Sequence, residues 1–342
     1  MKPSIKFYES FESGNCSGYS DSCPENSAIY YGYLYVMTPL TVVGMALNVC
    51  SMAVFASPAG ARLKCHCRHF IVFLQHLCVS DFLALLFLSP LGVCRCVDSP
   101  HDDVEARRTA YEAYVFTGAT NTFMAVSVWI TAAMTIERCA AVVRMTSPTQ
   151  NQFNSTIHKL VAGFYVASVI LNVPFYFEMT VSSDGEIIPT PLTETLAFQV
   201  WFWTRAFAAK YIPIVVVIVC NVIILALLQR AAVKRRKAEG SNRMSLLLRQ
   251  KFVKSVPVLL AVSVTFVCCH GLEPFMYTDV VSGDCASDEL CYHGYVAAVN
   301  TLEVLAASTN FVFYCALNAD FRAALCQLVR APRKPRRIHV VS

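Results

Sequence analysis

Three groups of residues in this 342-residue chain stand inside or at the end of long apolar runs, where ionisable side chains are costly. Asp81 sits within Leu77-Cys78-Val79-Ser80-Asp81, and Glu137-Arg138 closes a run at its end. Glu303 and Asn310 lie seven residues apart, two helical turns along nearly one face. Charge in hydrocarbon persists where it faces a partner, a cavity or a pathway, so each group is a candidate for ion handling, ligand pairing or switching. The blander reading of Glu137-Arg138 is a pair snorkelling from a helix end. A fourth group, Cys65-His66-Cys67-Arg68-His69, resembles metal ligands, but they alternate too closely for the usual zinc spacings. No metal is assigned there, and reversible acylation of Cys65 or Cys67 is the better reading.

What must position these residues is a set of apolar runs at 33–56, 70–94, 113–137, 160–177, 211–229, 256–277 and 295–318. Each is about 20 residues long, the length a helix rising 1.5 Å per residue needs to cross a core of about 30 Å. The composition agrees: 56% of residues are hydrophobic and 15% charged, with mean hydropathy +0.49. Soluble domains are closer to a quarter charged. No cleavable basic leader precedes the first run, so the polar N-terminus is expected to cross without one.

The segments between runs alternate in charge. One side holds Arg62, Lys64, Arg68, Arg144, Lys159, the run from Arg230 to Lys254 with Arg235 and Arg236, and the tail from Arg333. The other holds Asp98, Asp102, Asp103, Glu105, Glu112, Asp184, Glu186, Glu194, Asp279, Asp284, Asp288 and Glu289. Lys and Arg resist translocation, so the basic side is cytoplasmic and the N-terminus outside; six or eight spans would mix the signs. The prediction is an all-α membrane protein, a seven-transmembrane helix bundle. Residues 1–32 form an extracellular tail, 33–318 the bundle, and 319–342 an amphipathic cytoplasmic helix with a short basic tail. The basic runs also suit anionic lipid or an acidic protein surface. Nucleic acid is excluded as a partner, for want of an aromatic platform or groove motif.

Sixteen cysteines are present, most of them small apolar residues of the runs. Cys16, Cys23, Cys94, Cys96, Cys285 and Cys291 fall at the outer face, where six cysteines allow 15 pairings, and Cys285 with Cys291 is the pair chosen within one loop. Asn15-Cys16-Ser17 is an outer glycosylation sequon, while Asn154-Ser155-Thr156 falls on the cytoplasmic side and is expected to stay unused.

Six features in order give the chain a resemblance to the rhodopsin-type G-protein-coupled receptors across the whole membrane region. Asn48 follows Gly44 in span one, and Asp81 follows Leu77 in span two. Glu137-Arg138-Cys139 stands for the family's acidic-Arg-aromatic triplet, and prolines 174 and 213 fall in spans four and five. Asn310-Phe311-Val312-Phe313-Tyr314 stands for Asn-Pro-x-x-Tyr, with Ala319-Asp320-Phe321-Arg322 opening a short helix after it. Asn172-Val173-Pro174-Phe175-Tyr176-Phe177-Glu178, together with Phe311 in place of proline, is similar to invertebrate FMRFamide-receptor-like neuropeptide receptors. Departures are also plain. Ala113 stands where the family's span-three cysteine is, 25 residues before Arg138, so the outer face must be braced otherwise, through Cys94 or Cys96. His270 replaces the tryptophan beneath the pocket, and Asn221 a span-five tyrosine.

The resemblance implies an agonist between the outer halves of the helices and an outward swing of span six, with Arg138 released from Glu137 to face a heterotrimeric G protein. Cys139, Arg235 and Arg236 would join that contact. Asn48, Asp81, Asn310, Tyr314 and His270 would form the activation network, with a sodium ion as an added candidate. Thr120, Asn121, Glu273, Asn300 and Glu303 would line the pocket. Thr120 stands where amine receptors carry aspartate, and no lysine lies between Tyr295 and Asn318, so amines and retinal are excluded. The acidic outer segments favour a cation, and Glu273 and Glu303 could pair with a ligand arginine, as in an amidated Arg-Phe peptide. A neutral carboxyl hydrogen-bonded to Asn300 or to the Asp81 network is the plainer role for Glu303. No cofactor and no enzymatic activity are implied. The tail has Ser342 as its sole hydroxyl residue after Arg330, so its phosphorylation is expected to add little to arrestin recruitment. The rivals are a chemoreceptor for small molecules, a seven-helix transporter or channel, whose inverted repeats are missing, and a zinc hydrolase, whose ligand set is missing.

Overall fold

A computed structural model describes residues 32–94, 102–144, 153–183, 185, 187–237, 243–271 and 289–330. Among these, five helices are long and apolar enough to span a membrane: Tyr35–Ala56, Phe70–Pro90, Ala106–Val143, Thr156–Phe177 and Leu196–Arg230. The shorter Val256–His270 and the helix Ala297–Leu317 complete a bundle of seven, and Ala319–Val329 turns off the last at 99°. The seven-helix prediction and its short amphipathic C-terminal helix are therefore met. Asn318 starts that helix by accepting from the backbone N–H groups of Asp320 and Phe321, both at 3.1 Å. Arg322 reaches back to the Cys315 and Ala316 carbonyls at 2.8 and 2.9 Å, closing the open end of span seven.

Spans two and three form the centre, with 61% and 50% of their apolar windows buried, against 22% and 17% for spans four and five. Apolar side chains such as Ile170, Val166 and Val222 stay exposed, as lipid-facing residues must. Span one approaches spans two and seven closely because Gly44 has no side chain: a Cβ there would lie 2.9 Å from Leu85 Cδ1 on span two and 2.8 Å from Ser308 Cβ on span seven.

Span five corrects the sequence reading. It begins at Leu196, capped by Thr195, and not at 211, so residues expected in an outer loop are helical. The loop that remains holds an antiparallel hairpin of β1 (Met179–Val181) and β2 (Ile187–Pro189), turned by Gly185 at φ +85°.

Two prolines disturb this end of the bundle, and two tryptophans repair it. After Asn172 span four tightens into a 3-10 turn, Val173–Phe177, whose register would pair the Leu171 carbonyl with the nitrogen of residue 174. Pro174 has no N–H, and the Trp201 indole donates to that carbonyl instead, at 2.8 Å. Span five widens into a π-turn, Phe207–Tyr211, whose register would pair the Ala208 carbonyl with residue 213. That residue is Pro213, and the Trp129 indole donates to Ala208 at 2.9 Å. Each indole ties its span to another.

Candidate functional site

The centre of the bundle is organised by Asp81, 1% exposed on span two. The Asn310 amide donates to Asp81 Oδ2 at 2.7 Å, and the Ser127 hydroxyl donates to Oδ1. A cavity of about 20 Å³ opens beside them, walled by Asp81, Ser127, Thr131, Phe266, His270 and Asn310, large enough for a water. Asp81, Ser127 and Thr131 offer the oxygen donors a small hard cation takes. Asn48 is not on its wall. Its amide donates to the Gly44 and Ala307 carbonyls at 3.0 and 2.9 Å, holding span one to span seven.

Towards the C-terminal helix, Tyr314 is buried against Phe55 and Phe321, with ring centroids 5.6 and 5.5 Å away. Phe311, in the place of the usual proline, stacks edge-on against Phe321 at 5.8 Å. Arg138 is 3% exposed; its Nε lies 3.0 Å from Glu137 Oε2 and its guanidinium sits 4.5 Å over the Phe70 ring. Cys139 is buried beside them.

Towards the hairpin, two cations that the sequence reading did not select are each 1% exposed: Arg205 and Lys210, both on span five. Arg205 Nε donates to Asn172 Oδ1 at 2.9 Å, a terminal nitrogen donates to Asn121 Oδ1, and the guanidinium lies 4.4 Å over Phe175. Asn172 is held in turn by Ser168, whose hydroxyl donates to the Thr122 carbonyl at 2.7 Å. Lys210 Nζ donates to Glu303 Oε1 at 2.9 Å, and His270 Nδ1 lies 3.3 Å from the same oxygen. Among the described residues Glu303 thus meets Lys210 and His270. The signal that could have found both cations was available: Arg205 and Lys210 interrupt an apolar, aromatic stretch, where ionisable residues are candidates by default.

Thr120 is buried beside Asn121, which is already engaged by Arg205, and Asn300 is half-buried one turn before Glu303. Asn15, Glu273 and Cys285 lie outside the described residues; at Cys291, Arg235 and Arg236 the helix is described but not the side chain. Of the brace sought in Cys94 or Cys96, Cys96 lies outside the described residues and at Cys94 the helix is described but not the side chain; among the described residues a different tie is present. Tyr114, next to the buried Ala113, places its hydroxyl 3.1 Å from Thr180 Oγ1 and accepts from the Val181 N–H at 3.3 Å, tying the hairpin to span three.

Glu178, just beyond the end of span four, is 3% exposed with a buried carboxyl oxygen lacking a hydrogen-bond partner among the described residues. Burial lifts its carboxyl from 4.5 to about 7, against the downward pull of Arg205. A carboxyl raised on folding holds its proton more tightly folded than unfolded, so its contribution is complete below pH 4.5 and is lost as pH rises through about 7. The melting temperature of the purified protein should therefore fall between pH 5 and 8, and Glu178→Gln should flatten that fall. An equal fall in the variant would assign it to other groups.

The comparisons with known proteins bear on the same residues. The chain matches the seven-transmembrane receptor (rhodopsin family) pattern over residues 48–314, an interval running from Asn48 to Tyr314. It is 21% identical over 332 residues to a probable G-protein coupled receptor of Caenorhabditis elegans, covering 90% of this chain and 72% of that one. It is 25% identical to the human neurotensin receptor type 1 over 296 residues, 76% of this chain and 69% of that one. With the substance-K receptor of Mesocricetus auratus it shares 29% identity over 212 residues, 59% of this chain and 53% of the other.

Proposed function

The chain belongs to the rhodopsin family of seven-transmembrane receptors, and from that premise we propose that it is a plasma-membrane receptor for an extracellular peptide, signalling through a heterotrimeric G protein. As a family member it is a multi-pass membrane receptor and not an enzyme. The observation that carries the reading is a polar path through an otherwise apolar bundle. It runs from Lys210, Glu303 and His270, past the cavity, to Asp81 and Asn310, with buried Arg138 towards the opposite end. Polar groups in a membrane interior are retained where they work, and a path joining the two ends suits a bundle with two arrangements.

In this reading the N-terminus and hairpin are extracellular and the C-terminal helix is cytoplasmic. Thr120, Asn121, Asn300, Glu303 and Glu273 lie about the ligand, and agonist shifts the population towards an arrangement in which span six has moved outward. Arg138 then leaves Glu137 and, with Cys139, Arg235 and Arg236, meets the G protein. Tyr314 turns inward, and Asp81 with Ser127 offers a site for sodium. The basic segments rest on anionic lipid, and arrestin is a further partner. The peptide assignment draws on the neurotensin and substance-K receptors among the relatives. The narrower proposal, an amidated Arg-Phe peptide, draws on the FMRFamide-receptor-like words and on the acidic segments around the hairpin.

The test is a G-protein activation assay on intact cells, scanning amidated Arg-Phe peptides beside neurotensin-like and tachykinin-like ones. A saturable response to one peptide class supports the reading and selects the class. Silence to every peptide at confirmed surface expression, with a response to small organic molecules, would overturn the peptide assignment and leave a chemoreceptor.

A further inference from the structure

We propose that Lys210, Glu303 and His270 form a resting-state latch that clamps spans five, six and seven, and that activation requires Glu303 to leave Lys210. The inference rests on the two-state receptor reading above, and it joins to Glu303 and His270 a cation, Lys210, that family resemblance does not supply.

The geometry is that of a single acceptor shared by two donors. Glu303 Oε1 lies 2.9 Å from Lys210 Nζ and 3.3 Å from His270 Nδ1. The three side chains come from three helices: Lys210 from the π-turn of span five, His270 from the end of the described part of span six, and Glu303 from the middle of span seven. Lys210 is 1% exposed, so its ammonium cannot turn to bulk water without movement of a helix, and the Glu303 side chain is only 15% exposed. At this depth the attraction is little screened, and separating the pair without a substitute partner leaves two poorly solvated charges.

The latch is also placed to be felt. His270 stacks on Phe266 with ring centroids 5.0 Å apart, and both line the cavity beside Asp81 and Asn310. An outward movement of span six would draw His270 from Glu303, and any rotation of span five would draw Lys210 away. The closed bundle therefore carries an interaction that an open one must break. A ligand that brings its own cation to Glu303 lowers the cost of opening, because the carboxylate is handed over rather than stripped. That gives Glu303 a definite part in the peptide reading, as the group for which a ligand arginine and Lys210 compete.

Three variants test this: Lys210→Met, Glu303→Gln and the exchange Lys210→Glu with Glu303→Lys. Each is measured in two ways, by ligand-free G-protein activation at matched surface expression and by deuterium uptake of residues 243–255 in the purified protein. The single variants should raise ligand-free activation by roughly five- to tenfold, the size one interhelical coupling of ordinary strength produces in a two-state equilibrium. They should also speed uptake at the base of span six, and the exchange should return both towards the wild-type values. Should the single variants fail to reach the surface, His270→Phe keeps the ring on Phe266 and removes one donor without stranding a charge; it should move both readings the same way by less. Unchanged uptake and activation in every correctly folded variant would overturn the latch while leaving the receptor reading intact. Faster uptake, with no G-protein response from any form under any peptide, would keep the latch and overturn the proposed peptide-driven G-protein signalling.

Discussion

An Arg138→Ala protein should reach the cell surface at close to the wild-type level, bind its agonist, and activate G protein at least about tenfold less, a loss of about 1.4 kcal/mol or more from the productive complex. The fold can tolerate the change because of what surrounds the side chain. Its ion-pair partner is the adjacent Glu137, whose side chain is 23% exposed and can take up water once the guanidinium is gone. The stacking on Phe70 at 4.5 Å is a cation–π contact of about 1–2 kcal/mol, a modest part of a folded protein's stability. By contrast, nothing else among the described residues puts a buried guanidinium at this end of span three, where the proposed G-protein cleft opens. The reverse change on the partner, Glu137→Gln, should raise ligand-free activation, because the closed arrangement then holds Arg138 less firmly. Surface-matched nucleotide-exchange assays decide the matter. Wild-type activation by Arg138→Ala would show that the pair is only a snorkelling helix end.

What was legible in the sequence followed from single residues out of place in regular runs. Asp81 and Asn310 stand 229 residues apart, yet each was suspect alone as a polar group in an apolar helix, and the fold brings them to 2.7 Å. The seventh span and its continuation were likewise legible from Asn310…Tyr314 and from Ala319-Asp320-Phe321-Arg322 after it. Arg205 and Lys210 were not found, for an identifiable reason. Hydropathy rises smoothly only after Lys210, so a span placed by that rise starts at 211 and leaves both cations in a loop, where basic residues need no explanation. The partner of Glu303 was lost with them, since it lies 93 positions away on that same misplaced segment. Tyr114 was missed for another reason. A disulfide leaves two cysteines to be counted, whereas a phenol holding a hairpin leaves nothing that distinguishes it from other tyrosines at a membrane border. The two indole-to-carbonyl bonds share that silence, because the prolines are visible but the local register that decides which carbonyl is stranded is not.

The second large effect is expected at Arg205, and there it falls on the fold. Arg205→Met should melt far below the wild type and reach the surface poorly, even though methionine suits lipid better. In a membrane the apolar gain between helices is small, and single interhelical hydrogen bonds are worth about 1–2 kcal/mol at most, since an unassembled helix finds other partners. Arg205 is different because one rigid fork meets three side chains together: Asn172 and the Phe175 ring on span four, and Asn121 on span three. Two such bonds with a desolvated cation–π contact of about 2 kcal/mol sum to a loss of about 4 kcal/mol. The amide oxygens of Asn121 and Asn172 are also left facing an apolar chain. Arg205→Lys separates charge from shape. It keeps the positive charge beside Glu178 but offers a point donor where two divergent acceptors wait, so it should recover only a small part of the loss. Trp201→Phe, which removes one indole donor from the Leu171 carbonyl in the same cluster, should cost about 1 kcal/mol. Thermal melting of the three purified variants should rank them with Arg205→Met lowest, Arg205→Lys close above it and Trp201→Phe nearest the wild type. If Arg205→Lys melts like the wild type, charge alone holds this end of the bundle and the forked geometry is incidental. If Arg205→Met does so, the cluster bears little of the fold, and the buried guanidinium has to be explained by the ligand instead.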